Sequence, residues 1–309
     1  MRVVSTFDEL AGIAERICLA VGVFDGVHLG HQRVIGQARD DARSLAGAAV
    51  ALTFEPHPLR VLRPGKAPPL LTSTKHKLRL IEQAGASVCL VLKFDEALSL
   101  LAPEKFIELV AHRTRSLVEI CVGSRFRFGH DRAGDVRLIE KLAATHGFAV
   151  KEVPDARLGD EVISSTAIRQ HVQHGRLDRA AEMLGRQFSI LGAVARGDSR
   201  GRQLGFPTAN VDPHNEVLPP DGVYAVRAIV AGQTHGGVAN LGLRPTFPAN
   251  QPSLEVHIFD FDRELYGDDI EVVFVKKLRD EKRFDSAEAL KRQMTADAEA
   301  ARTLLLPAG

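Results

Sequence analysis

The sequence has almost no net charge: 40 lysines and arginines face 39 aspartates and glutamates, leaving +1 over 309 residues. A polyanion-binding role therefore has no electrostatic support, and nucleic acid is not an expected partner. Cysteine is scarce. Cys18, Cys89 and Cys121 all lie in apolar runs, with no CxxC and no paired spacing. That pattern reads as buried small hydrophobes in a reducing compartment. No apolar stretch approaches the ~18 residues of a membrane span. The opening MRVVSTFDEL puts Asp8 and Glu9 where a signal peptide needs an apolar core, which predicts a cytoplasmic protein without membrane association. There is no Walker loop, no dinucleotide fingerprint, no HExxH, no internal repeat and no low-complexity tract.

What is present is two glycine-framed segments about 180 residues apart. The first is Gly22-Val23-Phe24-Asp25-Gly26-Val27-His28-Leu29-Gly30-His31; the second is Gly201-Arg202-Gln203-Leu204-Gly205-Phe206-Pro207-Thr208-Ala209-Asn210. Each sits in a region with its own hydrophobic rhythm. Up to residue ~185 short apolar runs alternate with helical patterns. Strands are predicted at Ile17–Phe24, Ala48–Phe54, Val88–Phe94, Leu117–Val122 and Phe148–Val153. Helices are predicted at His31–Leu45, Thr74–Ala84, Pro103–His112 and Val136–Thr145, with Ser165–His174 and Leu177–Leu184 closing this half. Continuous runs such as Val88–Leu92 suit parallel strands buried on both faces, so the fold class is α/β with a doubly wound parallel sheet. Ligands of such sheets bind beyond the carboxyl ends of the strands. The first segment, Glu55-Pro56-His57-Pro58 and Gly123–Gly129 all fall there, on one rim. From Ser189 to Val275 the pattern favours strands with turn residues between them, which predicts a small antiparallel β-barrel. A terminal helix capped by Ser286 follows, running to about Leu304. The domain boundary is placed near Gly185, giving domains 1–185 and 186–309.

The chemistry of the two segments differs. In the first, glycines let backbone approach a phosphate, and Gly30-His31 opens a helix whose amides and dipole favour an anion. His28 and His31, three apart, share one face and can donate to charge building on an α-phosphate and its pyrophosphate leaving group. A structural histidine pair remains the alternative; zinc lacks a third ligand at the expected spacing. Ile163-Ser164-Ser165-Thr166-Ala167-Ile168-Arg169 offers three hydroxyls at a helix start and an arginine one turn inside, either a second anion grip or an ordinary cap. In the second segment, amides and arginines can cradle phosphates while Thr208 and Asn210 offer neutral oxygens to hydrated Mg²⁺; a solvated hairpin turn is the alternative for the Gly/Arg loop alone. Glu255, on a predicted strand, could orient or deprotonate an alcohol, though an isolated strand glutamate commonly faces water.

The pair His28-Leu29-Gly30-His31 and Ile163–Arg169 resembles the HxGH and ISSTxIR motifs of the nucleotidyltransferase superfamily. The wider set, GVFDGVHLGH with Thr53–Pro58, Phe126–Gly129 and Ala133–Asp135, resembles the bacterial bifunctional riboflavin kinase/FAD synthetase family over nearly the whole chain. So do the string ending Pro207-Thr208-Ala209-Asn210, the segment Asn240–Phe247, and Glu255 in its local sequence. The resemblance implies ATP-dependent phosphorylation of riboflavin to FMN, then adenylylation of FMN to FAD with release of pyrophosphate. It implies ATP and flavins as substrates and Mg²⁺ as cofactor. It assigns catalysis to His28, His31, Arg169 and Glu255. ATP binding falls to Gly22, Phe24, Gly26, Ser164, Ser165 and Thr166 in the first domain, and to Gly201, Gly205, Thr208 and Asn210 in the second. Thr208 and Asn210 also serve the metal. Flavin binding falls to Pro56, Pro58, Arg125, Arg279 and Phe284. At Arg125 the chain departs from the family, which commonly has Asn or Asp there. A kinase-only enzyme, a flavin carrier and a tRNA-linked adenylate-forming enzyme are the rival readings; the carrier needs no ATP machinery, and the last lacks its basic anticodon-type module. Self-association is left open.

Overall fold

A computed structural model describes residues 1–13, 15–196, 205–243 and 252–306. The chain divides into two compact units. Residues 1–69 and 74–165 form the first; residues 70–73 and 166–309 belong to the second.

In the first unit the elements alternate. They are β1 (Arg2–Val4), α1 (Phe7–Leu10), β2 (Ile17–Val21), α2 (Leu29–Ser44), β3 (Ala48–Glu55), α3 (Pro58–Leu62), α4 (Thr74–Gln83) and β4 (Val88–Lys93). Next come α5 (Glu96–Ser99), α6 (Pro103–Arg113), β5 (Leu117–Gly123), α7 (Val136–His146) and β6 (Ala149–Val153), then a small ribbon of β7 (Arg157–Leu158) and β8 (Glu161–Val162). Six strands pair in the order β1-β4-β3-β2-β5-β6, every pair parallel. Burial on both faces explains the unbroken apolar runs. Alternate residues of β2 serve opposite sides: Ile17, Leu19 and Val21 join one core, Cys18 and Ala20 the other. The second core, beneath α2, mixes small residues, including Cys89 and Cys121, with Phe24, Ile35, Leu80 and Ile81. All three cysteines are free and buried. Burial pushes the thiol of Cys18 up to about 11 and that of Cys89 up to about 12, so they act as inert hydrophobes.

The second unit begins within α8 (Ser165–Gln173) and continues with α9 (Leu177–Leu184). Then come β9 (Ser189–Ala195), β10 (Ala209–Pro213), β11 (Gly222–Val230), β12 (Gln233–Leu243), β13 (Pro252–Ile258), β14 (Asp269–Arg279) and α10 (Ala287–Leu305). The strands close an antiparallel barrel in the order β10-β13-β12-β11-β14-β9, with β9 pairing back to β10. Ser286 caps α10, its hydroxyl accepting from the amide of Ala289 at 3.1 Å. This helix packs on β11, β12 and β14. Buried Asn215 donates to the carbonyl of Leu71, which ties residues 70–73 to this unit.

Candidate functional site

In the first unit the glycine-framed segment is not an extension of β2. The strand stops at Val21 because the chain turns into left-handed backbone: φ is +56° at Phe24, +81° at Gly26 and +38° at Val27. A β-branched residue at positive φ is a strained conformation, costing about 1–3 kcal/mol, and persists only where neighbours over-determine it. Three bonds do so here. Thr53, fully buried, donates to the carbonyl of Val23 at 2.9 Å. Gln32 donates to that of Val27 at 2.9 Å, and Ser165 to that of Asp25 at 2.9 Å.

His28 is the N-cap of α2: its Nδ1 accepts from the amides of Gly30 at 3.1 Å and His31 at 3.4 Å. Sequence reading placed those amides on a phosphate; in the structure the imidazole takes them. An accepting Nδ1 leaves the proton of a neutral ring on Nε2, which makes His28 a donor there. The cap explains Gly30, whose added Cβ would lie 3.0 Å from the His28 ring. Gly22 is explained likewise, since a Cβ would meet the Phe24 ring at 2.7 Å. The His28 and His31 rings stack at 3.6 Å, and Phe24 meets His31 edge-on at 5.4 Å. Burial, then His28 and Lys77, hold the His31 imidazole well below its usual range, so it is neutral at pH 7. Its Nδ1 has no partner among the described residues. Lys77 is itself buried, donating to the carbonyl of Phe54 at 3.2 Å; it was not picked out from sequence.

The same strand ends surround an apolar cavity of about 220 Å³ walled by Val23, Phe54, Phe94, Phe106, Phe126 and Phe128, among others. Phe126 and Phe128 stack at 5.4 Å. Pro58 is on this wall; Pro56, which follows the cis Glu55–Pro56 bond, is not. Arg125 is not on it either. Its guanidinium pairs with Asp155 at 2.9 Å while the side chain is 60% exposed, and Arg127 and Arg132 are the arginines that line the cavity. Ser164 and Ser165 close this unit, and Ser165 is spent on the loop rather than left for a ligand. Thr166 and Arg169 lie on α8 in the second unit, with Arg169 buried.

In the second unit a cavity of about 340 Å³ gathers Thr208, Glu255, Arg279 and Phe284, joined by Asn240 and Glu281. Register explains the grouping. Glu255 on β13 stands opposite Asn210 on β10 and Asn240 on β12. Asn240 donates to Glu281 at 3.1 Å. Asn210 Oδ1 is buried and has no partner among the described residues. Arg279 makes a paired, largely buried bridge to Asp297 at 2.8–3.0 Å and lies 5.8 Å from the Phe284 ring. Its charge is therefore neutralised within the wall. A second cavity of about 70 Å³, lined by Val194, Pro207, Thr208, Val256, Phe261 and Tyr266 among others, shares Thr208 with the first. Gly205 precedes this wall in a turn; Gly201 and the stretch 244–247 lie outside the described residues. Among those residues the cluster able to hold a metal by donor spacing is Asp41, Glu119 and Cys121, between α2 and β5. It includes none of the predicted site residues.

Two family models match in tandem, FAD synthetase over residues 11–167 and riboflavin kinase over 184–305. The bifunctional riboflavin kinase/FMN adenylyltransferase of Escherichia coli K12 is 37% identical over 299 residues, 96% of each chain. The chain belongs to that family. Its activities are ATP-dependent phosphorylation of riboflavin to FMN and adenylylation of FMN to FAD, with pyrophosphate released. The Bacillus subtilis member is 39% identical, covering 90% of this chain and 89% of that one. A crystal structure described as a macrolide-efflux protein from Streptococcus pneumoniae superposes with a TM-score of 0.85 at 28% identity, covering 98% and 99% of the two chains. No helix among the described residues is long and apolar enough to cross a membrane.

Proposed function

We propose that the adenylyltransferase reaction belongs to the site around His28 and His31 and the kinase reaction to the site around Glu255. The observation that carries this reading is that each unit joins one glycine-framed motif to its own cavity. In the first, Val23 belongs both to the strained loop and to the aromatic wall, whose flat apolar space suits an isoalloxazine ring. An FMN phosphate oxygen attacks the ATP α-phosphorus and the bond to pyrophosphate breaks. The nucleophile is already an anion, so positioning and donation suffice. His28 Nε2–H and the neutral His31 supply donors; Ser164 and Ser165 complete the assignment within this unit as phosphate and loop-holding residues.

In the second, riboflavin occupies the larger cavity, with its terminal ribityl hydroxyl toward Glu255. Phe284 faces the flavin, while Arg279 shapes the wall through Asp297. The smaller cavity, with Phe261 and Tyr266 on its wall, suits the adenine of ATP, and Thr208, common to both walls, marks the crossing where the γ-phosphoryl group passes. Glu255 orients the hydroxyl and takes its proton as the new O–P bond forms and ADP leaves. Thr208 and Asn210 would hold Mg²⁺; the orphaned Asn210 Oδ1 fits that demand for a neutral oxygen. That ion would screen the phosphate charge. Gly201 and Gly205 are assigned to the nucleotide loop. The functional boundary is placed near Gly185, and the enzyme in the cytoplasm, with small molecules as its partners; its oligomeric state is a matter for sizing in solution.

One incubation with riboflavin, ATP and Mg²⁺, resolved by chromatography, tests the division. Glu255→Gln should leave riboflavin unconverted yet make FAD from supplied FMN. His28→Ala should stop at FMN. Equal loss of both activities in either folded variant removes the assignment.

A further inference from the structure

One bond outside the strand ladder joins the nucleotide side of the barrel site to the carboxylate side. The ladder between β10 and β13 begins with Ala209 opposite Val256 and continues with Asn210 opposite Glu255. Pro207 and Thr208 precede it, so backbone pairing does not hold them to β13. His257 does. Its Nδ1 lies 2.8 Å from the Pro207 carbonyl. A carbonyl oxygen only accepts, so the ring carries its proton on Nδ1. His257 and Glu255 are two apart on one strand and line the same cavity, as alternation along a strand requires. The ring is also fixed by its neighbours, edge-on to Phe206 at 5.3 Å and to Phe259 at 5.7 Å.

We infer that His257 is a positioning residue for the kinase reaction: its Nδ1–H bond to Pro207 sets Thr208, and with it the ATP phosphates, in register with Glu255 on the same strand. The inference rests on the assignment of Thr208 and Glu255 above. It differs from a packing role because it needs a donor at one place on the side chain. Asparagine puts an amide N–H near the imidazole Nδ1 position. Glutamine reaches instead toward Nε2. Phenylalanine keeps the ring and loses the donor.

The test is steady-state kinase kinetics on the full chain, varying ATP and riboflavin separately, with thermal melting of each sample as the check that the barrel has folded and FAD formation from FMN as the check that the first site is intact. A bond worth about 0.5–1.5 kcal/mol corresponds to roughly two- to twelvefold. His257→Phe and His257→Gln should raise the KM for ATP by that factor and leave the KM for riboflavin unchanged, and His257→Asn should restore it. An unchanged KM for ATP in the phenylalanine variant overturns the inference. So does an asparagine variant as impaired as the phenylalanine one, or an equal rise in both KM values. Should the phenylalanine variant fail to fold, the asparagine–glutamine contrast decides in the same way. Thr208→Val is run alongside. If it is impaired while His257→Phe is normal, only the role of His257 falls; if it too is normal, the assignment of Thr208 falls with it.

Discussion

The first unit builds its site from a loop that leaves regular backbone altogether, whereas the second builds its site from facing strands of a closed ladder. On the proposed assignment of the two reactions, their chemistry accounts for the difference. Adenylyl transfer starts from an FMN phosphate that is already an anion, so its site needs donors and space, and no carboxylate is assigned there. Phosphorylation of riboflavin starts from a neutral alcohol, so its site needs a carboxylate held in place. Register supplies that by setting Glu255 between Asn210 and Asn240. Strain and histidine capping position the first site; strand pairing positions the second.

The largest expected effect breaks the second half of this comparison. Glu255→Gln keeps the shape but removes the proton acceptor. A positioned base contributes about 10²–10⁴ in rate, so FMN formation should fall within that range while FAD formation from FMN persists. Kinase turnover at the wild-type rate would mean that the ladder holds substrate without doing acid–base work.

Next comes His28, which does two things at once. Its Nδ1 caps α2, and its Nε2–H is the proposed donor to the reacting phosphate. His28→Ala should cost roughly 10²–10³ in adenylyl transfer and about 0.5–2 kcal/mol of stability through the lost cap. His28→Asn can cap without reaching the Nε2 position. It should recover stability, read by thermal melting, but not turnover. Recovery of both would reduce His28 to a cap.

His31 gives a smaller effect that sharpens the picture of a neutral-donor site. Burial holds its pKa well below 6.5. Between about 6.5 and that lower value the unfolded chain binds a proton that the folded chain does not, so stability falls as pH drops through this window. The melting temperature of the wild type should therefore decline more steeply from pH 7 to 5 than that of His31→Gln. Parallel curves would mean that His31 charges freely in the folded state.

Much of this was legible in the sequence where burial writes a period. Leu177–Leu184 was read with its observed bounds, and the Ser286 cap was read from residue type. β2, β3 and β4 showed because they are mostly buried on both faces. β1 was missed: three residues at a sheet edge make no run. The predicted end of the first strand overshot by three residues because Val23 and Phe24 look like strand, yet Phe24 takes a positive φ. The capping role of His28 was invisible because a side-chain bond to backbone leaves no periodicity, and α2 accordingly starts at Leu29 rather than His31. Asp297, the partner of Arg279, stands 18 residues away in an amphipathic helix pattern. Phe54 and Phe94 read as strand ends and Phe106 as part of a helix, and all three wall a cavity.

The smallest effect concerns Arg125, which stands where the family resemblance leads one to expect Asn or Asp. An arginine on the pocket rim could have given the first site a cation for the FMN phosphate, making its flavin binding electrostatic. The structure instead pairs Arg125 with Asp155 at the surface and leaves the cavity wall without it. Exposed pairs of this kind contribute about 0–1 kcal/mol and are screened by salt. Arg125→Asn should therefore leave FMN affinity unchanged at low and moderate salt, measured by flavin fluorescence titration on the full chain with kinase activity silenced by Glu255→Gln. Riboflavin phosphorylation in the Arg125→Asn single variant should be unaffected. A loss of FMN affinity that shrinks as salt rises would show the guanidinium leaving Asp155 for the phosphate. The first site would then depend on a charge brought in by the ligand, rather than on the neutral donors and aromatic walls already in place.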